Sequence, residues 1–212
     1  MYRCHYDSDH ISMKKYVAEL LGTGTLTFVV GLSIAGSFPV PTPVLAALTL
    51  GLFVYSIGHL SGTHINPAVT LSALSIGTIH FAEAGKYIAA QLLGAAIALF
   101  ALQYVVEMPA LSLDTSLRTG LAEALGAFVF TFGIASVIYG RTPSHLSGIV
   151  VGGSLLIGIT IAALMGTNGV LNPAVAFGIG SLNLMYVLGP IIGGVAGMRL
   201  YHFLSHESVV SK

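Results

Sequence analysis

Charge is the scarcest property of this chain. Of 212 residues only 8 are Lys or Arg and 8 are Asp or Glu, 8 % of the sequence, whereas an ordinary soluble domain carries about 25 %. The two signs cancel, so there is no basic or acidic surplus to suit nucleic acid or a charged surface. Cysteine is nearly absent too. A single Cys4, in a polar N-terminal segment, excludes an intrachain disulfide framework. No cluster of His and Cys has metal-ligand spacing, and no Gly-rich loop is built to cradle phosphate. No nucleophile, base and orienting group fall together. The sequence therefore points away from enzymes and from metal or cofactor dependence.

What is present is apolar. Hydrophobic residues make up 55 % of the chain and the mean hydropathy is +0.89, which places it in a membrane. The run following MYRCHYDSDHISMKK is too long for the core of a cleaved signal and reads as a retained first span. A helix rises about 1.5 Å per residue, so about 20 apolar residues cross a hydrocarbon core of about 30 Å. Stretches near 15–36, 44–60, 83–106, 117–139, 146–164 and 182–204 meet that length.

Two further apolar segments, 64–77 and 169–180, are about half a span long, and in each Asn-Pro-Ala-Val appears. Asn is a favoured helix N-cap and Pro suits the first helical position. Asn66 with Pro67 and Ala68, and Asn172 with Pro173 and Ala174, should each open a short helix. The irregular backbone before them, SGTH and GTNG, cannot face lipid with its polar groups unpaired. Both segments must dip into a protein-lined interior.

The doubled phrase belongs to a larger repeat. AELLGTGTLTF from Ala18 matches AEALGAFVFTF from Ala122, placing Glu19 opposite Glu123, and YIAAQLLGA from Tyr87 parallels YVLGPIIGG from Tyr186. Each copy has three spans, an odd number, so the copies enter the membrane from opposite faces about a pseudo-two-fold axis in its plane. The half-helices then meet N-terminus to N-terminus near the midplane. The expected organisation is a tail (1–14), a first repeat (15–106), an outer connection (107–116), a second repeat (117–205) and a second tail (206–212). Seven of the eight basic residues, Arg3, Lys14, Lys15, Lys86, Arg141, Arg199 and Lys212, fall on one side, and Arg118 alone on the other. The positive-inside bias makes both termini cytoplasmic.

With GHLSGTHINPAVT at residues 58–70 and the second Asn-Pro-Ala in place, the chain resembles the aquaporin and aquaglyceroporin family, the major intrinsic proteins, from Ala18 to about Leu204. The resemblance implies an all-α membrane protein with six transmembrane helices, two re-entrant half-helices and an inverted 3+3 repeat. It also implies a passive channel for water and small neutral solutes in which Asn66 and Asn172 face the lumen, and a homotetramer in the bilayer. Glu19 and Glu123 are carboxylates in apolar spans, where charge is costly and usually functional or satisfied. A transporter would use them as a proton relay; the resemblance instead makes them acceptors for the loop backbones, with His64 bracing the first loop.

Most of the family reads Asn-Pro-Ala-Arg in the second copy, and that arginine lines the narrowest point. Here the position is Val175. Counting from the Asn motifs puts its neighbours in the selectivity filter at Ala46, Thr160 and Gly169. All four are small or medium and uncharged, so the neck should be wide. It should admit glycerol, urea, ammonia, hydrogen peroxide or neutral metalloid acids, with a cation barrier one charge weaker. Valine there resembles some plant vacuolar members and bacterial members associated with arsenic resistance. The plant group keeps a histidine in the fifth span, which Thr160 is not, so the bacterial comparison is nearer and arsenite joins the candidate solutes. The alternatives are a proton-coupled secondary transporter and a poorly conducting structural paralogue. The compact loops favour a prokaryotic plasma membrane.

Overall fold

The computed structural model describes residues 8–36, 39–109, 111 and 113–206. Arg3, Cys4 and Lys212 lie outside the described residues. Eight α-helices follow in order: α1 Ser8–Ala35, α2 Thr42–Ser61, α3 Pro67–Ser75, α4 Phe81–Val105, α5 Leu117–Ile138, α6 Ser147–Leu164, α7 Pro173–Gly178 and α8 Leu184–His206. A 3₁₀ turn, Ser144–Leu146, leads into α6. Among the described residues there is no strand.

Six helices are long and apolar enough to span a bilayer: Met13–Ala35, Thr42–Ser61, Phe81–Val105, Leu117–Ile138, Ser144–Leu164 and Leu184–Ser205. Their large side chains point outward, as with Ile149, Phe100 and Leu164 at 65, 71 and 83 % exposure. That inverts the soluble pattern and suits hydrocarbon as the solvent.

Local chemistry sets the ends. Pro41 and Pro43 open α2, and it stops where Gly62 turns left-handed (φ 79°) and returns its N–H to Gly58 O at 2.8 Å. The last span starts two residues later than the apolar pattern suggests because Asn183 accepts from the N–H groups of Met185 (2.8 Å) and Tyr186 (3.3 Å), capping α8. Before α5, Ser116 caps Thr119 N (3.4 Å), and Asp114 in turn accepts from Ser116 N (2.8 Å) and from the Thr119 hydroxyl (2.7 Å). These donors hold the exposed Asp114 carboxyl below its ordinary range.

The long helices pair in the same way in each half: α1 with α4 and α2, α5 with α8 and α6. The halves join along α2 and α6. Each short helix packs chiefly on the other half, α3 on α8 and α7 on α4 and α1. Two equivalent glycines permit the tightest crossings. A Cβ on Gly94 would meet Leu20 O of α1, and one on Gly193 would meet Ala124 O of α5. The six long spans with two short inward helices in an inverted repeat are the architecture the sequence implies.

Candidate functional site

The two Asn-Pro segments converge at the centre of the bundle. Asn66 and Asn172 are extended and cap α3 and α7, with Pro67 and Pro173 in the first turns. The side-chain oxygen of Asn66 accepts from Ala68 N at 2.8 Å; that of Asn172 accepts from Ala174 N at 3.0 Å and Val175 N at 3.3 Å. Each amide then donates across the midline, Asn66 Nδ2 to Leu171 O (2.9 Å) and Asn172 Nδ2 to Ile65 O (3.0 Å). A carboxamide has two N–H donors, and these bonds use one of each pair.

Ile65 and Leu171, the residues before the two asparagines, sit at φ 38° and 56°. That region is unfavourable for any residue with a Cβ, and most of all for a β-branched one. The strain persists because both ends of each residue are tied down. Ile65 N donates to Glu19 Oε2 at 2.6 Å while its carbonyl receives Asn172. Leu171 N donates to Glu123 Oε2 at 2.7 Å while its carbonyl receives Asn66. Each carboxylate thus holds its own half's loop, and each asparagine holds the other's.

The carboxylates have further donors. Glu19 also accepts from His64 N (2.9 Å) and Gln91 Nε2 (2.8 Å), and Gln91 continues to Thr70 Oγ1 (2.9 Å). The His64 ring pairs with Thr70 (3.2 Å) and lies 5.2 Å from the Tyr87 ring, whose hydroxyl donates to Ser61 O (3.0 Å). Glu123 accepts from Val170 N (3.1 Å) and the Thr167 hydroxyl (3.2 Å), and Tyr186 OH receives Asn168 N (3.1 Å). Both glutamates are fully buried, and bonds of this number and charge offset the cost of placing them there.

Two cavities lie in the bundle, and the asparagines line the larger. The larger, about 360 Å³, is lined at its base by His64, Asn66 and Asn172 and along its walls by apolar side chains, Leu50, Phe130 and Leu155 among them. The smaller, about 250 Å³, lies between Val54, Ser61, Thr63, His64, Thr78 and Ile138. His64 borders both.

Ala46, Gly169 and Val175 all line the larger cavity and all are buried. Thr160 does not. It is exposed on the outside of α6 with its hydroxyl turned back to Leu156 O (2.7 Å), and Ile159 takes the lumen-facing place. The correction is one helical step, about 100° of rotation. Gly169, left-handed at φ 62°, packs against that same face of α6: a Cβ there would stand 2.7 Å from Ile159 O.

The family model for Major intrinsic protein matches residues 7–201. The chain belongs to the major intrinsic proteins. It is 32 % identical to Aquaporin Z of Rhodopseudomonas palustris over 93 % of this chain and 95 % of that one. It is 31 % identical to the probable aquaporin AqpM of Archaeoglobus fulgidus (92 and 98 %), and 30 % identical to Aquaporin NIP1-1 of Zea mays (91 and 75 %). In three dimensions it matches the aquaglyceroporin from Plasmodium falciparum with a TM-score of 0.65 at 17 % identity, covering 93 % of this chain and 97 % of that one. This major intrinsic protein is an integral, multi-pass membrane channel of the aquaporin family, for water or small solutes, and its relatives are channels rather than enzymes.

Four features of the site escaped the sequence reading: Ile159, Gln91, Thr70 and the paired strained residues Ile65 and Leu171. Gln91 had a signal, since a carboxamide within the apolar run YIAAQLLGA is costly unless it has partners. Ile65 and Leu171 had none, because an apolar side chain carries no mark of its φ angle.

Proposed function

We propose that the chain is a passive channel for water and for neutral solutes larger than water, with a wide, uncharged neck formed by Ala46, Ile159, Gly169 and Val175. The observation that carries this reading is Val175. It is buried in the wall of the larger cavity at the position after the second Asn-Pro-Ala, and among the described residues no Lys or Arg lines that cavity. Glycerol, urea, ammonia, hydrogen peroxide and neutral metalloid acids including arsenite are the candidate cargoes.

At the base of the neck, the remaining N–H donors of Asn66 and Asn172 replace part of a solute's hydration. The N-terminal ends of α3 and α7 add partial positive charge that opposes cations. Glu19, Glu123 and His64 act as supports. The two repeats, 15–106 and 117–205, are the halves of one pore. By the positive-inside count the larger cavity opens outward and both termini are cytoplasmic. The host membrane is a prokaryotic plasma membrane, and four copies assemble with one pore each.

A proton-coupled transporter needs an ionisable group that faces the lumen. Glu19 and Glu123 are fully buried, occupied by loop donors and lie on neither cavity wall, which favours a channel.

The test is stopped-flow light scattering on proteoliposomes with water, glycerol, urea and arsenite, for the native chain and Val175→Arg. The expected result is solute flux above empty vesicles in the native chain and a lower glycerol-to-water permeability ratio in the variant. A native chain that passes water alone refutes the wide neck.

A further inference from the structure

Helices α1 and α4 run side by side in the same direction: Glu19 meets Gln91, Gly24 lies on Gly94 and Gly31 on Leu102. On each, a lysine heads an exposed apolar stripe. Lys14, Val17 and Leu21 share one face of α1, and Lys86, Leu93 and Ile97 share one face of α4. Tyr16 ties the two lysine ends together. Its ring centre stands 5.4 Å from Lys15 Nζ and 5.8 Å from Lys86 Nζ, and its hydroxyl donates to Glu83 Oε2 at 2.9 Å. Glu83 also takes Lys15 in an ion pair at 2.5 Å. Among the described residues Lys14 and Lys86 form no ion pair, so two ammonium groups stand at the foot of two apolar stripes.

Packing does not call for this arrangement. The repeat sets Arg118, Thr119, Gly120 and Met185 opposite Lys14, Lys15, Tyr16 and Lys86. There Met185 fills the corner, its sulfur 2.8 Å from where a Cβ on Gly120 would be, and the Asp114 carboxylate lies in the field of Arg118. The mirrored corner keeps the exposed apolar residues Leu121 and Leu125 but sets its cation beside an anion.

We propose that the corner of α1 and α4 binds an anionic phospholipid from the leaflet on the side of Lys14 and Lys86. Its phosphodiester takes these two ammonium groups. The acyl chains run along Val17 and Leu21 on one helix and along Leu93 and Ile97 on the other. A free phosphate ester has no chains for these stripes, and a zwitterionic lipid sets an ammonium of its own against the lysines. Tyr16 also meets the Tyr87 ring edge-on at 6.0 Å, and Tyr87 holds Ser61 O, so a lipid seated here steadies the entry to the first loop.

The full-length chain, delipidated in a neutral detergent, is titrated with phosphatidylglycerol and with phosphatidylcholine of the same chains. The rise in melting midpoint gives an apparent affinity for each. Phosphatidylglycerol is expected to bind about tenfold more tightly, and the preference should fall with added salt. Lys14→Gln combined with Lys86→Gln should bring the two lipids level, whereas Lys14→Arg combined with Lys86→Arg should retain the difference. Arg141→Gln, which removes an exposed cation elsewhere on the same side, should leave it unchanged. Equal affinities in the native chain, or a preference that salt leaves intact, overturn the proposal. A preference that Arg141→Gln weakens as much as the lysine pair does also overturns it, because that is diffuse attraction to a basic face. Glycerol 3-phosphate that raises the midpoint as far as the lipid does would assign the corner to a free phosphate ester instead.

Discussion

In the first half of the molecule Glu19 divides its oxygens between two loop amides and the carboxamide of Gln91, which reaches on to Thr70. In the second, Glu123 meets loop amides and the Thr167 hydroxyl, and the repeat puts Pro190 where Gln91 stands in the first. His64 and Thr70 likewise correspond to Val170 and Ala176. Yet Ile65 and Leu171 adopt the same left-handed backbone and give their N–H groups to carboxylates at 2.6 and 2.7 Å. The conserved element of the design is the clamp on the strained peptide. Its surroundings are free to be a polar network in one half and an apolar wall in the other.

The most severe test of this equivalence is in helix packing. Gly94→Leu and Gly193→Leu each force a side chain onto a facing backbone carbonyl that cannot move aside. Each should lose on the order of 3 kcal/mol or more, and by similar amounts. Size-exclusion profiles after graded heating in detergent read the loss. A tolerated leucine at one site alone would show that the halves pack differently.

Glu→Gln substitutions should separate the two halves. In Glu19→Gln the new amide finds an acceptor, because Gln91 Oε1 has no hydrogen-bond partner and a turned carboxamide can offer it. In Glu123→Gln the new N–H₂ faces backbone donors, and only the Thr167 hydroxyl can reverse its role. We expect a cost of about 1–2 kcal/mol at Glu19 and about 2–4 kcal/mol at Glu123. Melting midpoints in the opposite order would remove Gln91 as the explanation.

Gln91→Leu should cost about 1–3 kcal/mol, since it strips donors from both Glu19 and Thr70. Hydrogen exchange should rise at His64 and Ile65 and stay unchanged at Val170 and Leu171; exchange rising equally in both loops would contradict a local support. Ser116→Ala sits outside the mirrored core. It should lose about 1 kcal/mol from the α5 cap and leave water permeability unaltered.

The long elements were legible because their cause is one-dimensional. Apolar runs of span length recover the six helices, and Asn-Pro marks where the two short ones start. The repeat brought Glu19 and Glu123 into correspondence from sequence alone. What sequence spacing did not give was rotation. Thr160 and Ile159 are adjacent in a helix apolar on every side, so periodicity offers no lumen-facing stripe to choose between them. The face turned inward is the one against which Gly169 packs, a contact between residues ten apart that no count along the chain encodes. Gln91 was missed for a different reason, since its role becomes visible only when α4 is laid against α1 and α3.

The exchanged asparagine bonds also impose an order on biogenesis. A ribosome delivers the chain from its N-terminus, so Ile65 and Asn66 reach the membrane while Leu171 and Asn172 have yet to be made. During that interval Glu19 can grip its loop amides, but the Ile65 carbonyl and the Asn66 amide lack the partners that the later half supplies. The early half is therefore an unfinished lock whose key is still being translated. A nascent chain stalled after α4 should leave residues 62–66 open to cysteine-directed labelling, and protection should arrive only once α7 has entered the bundle.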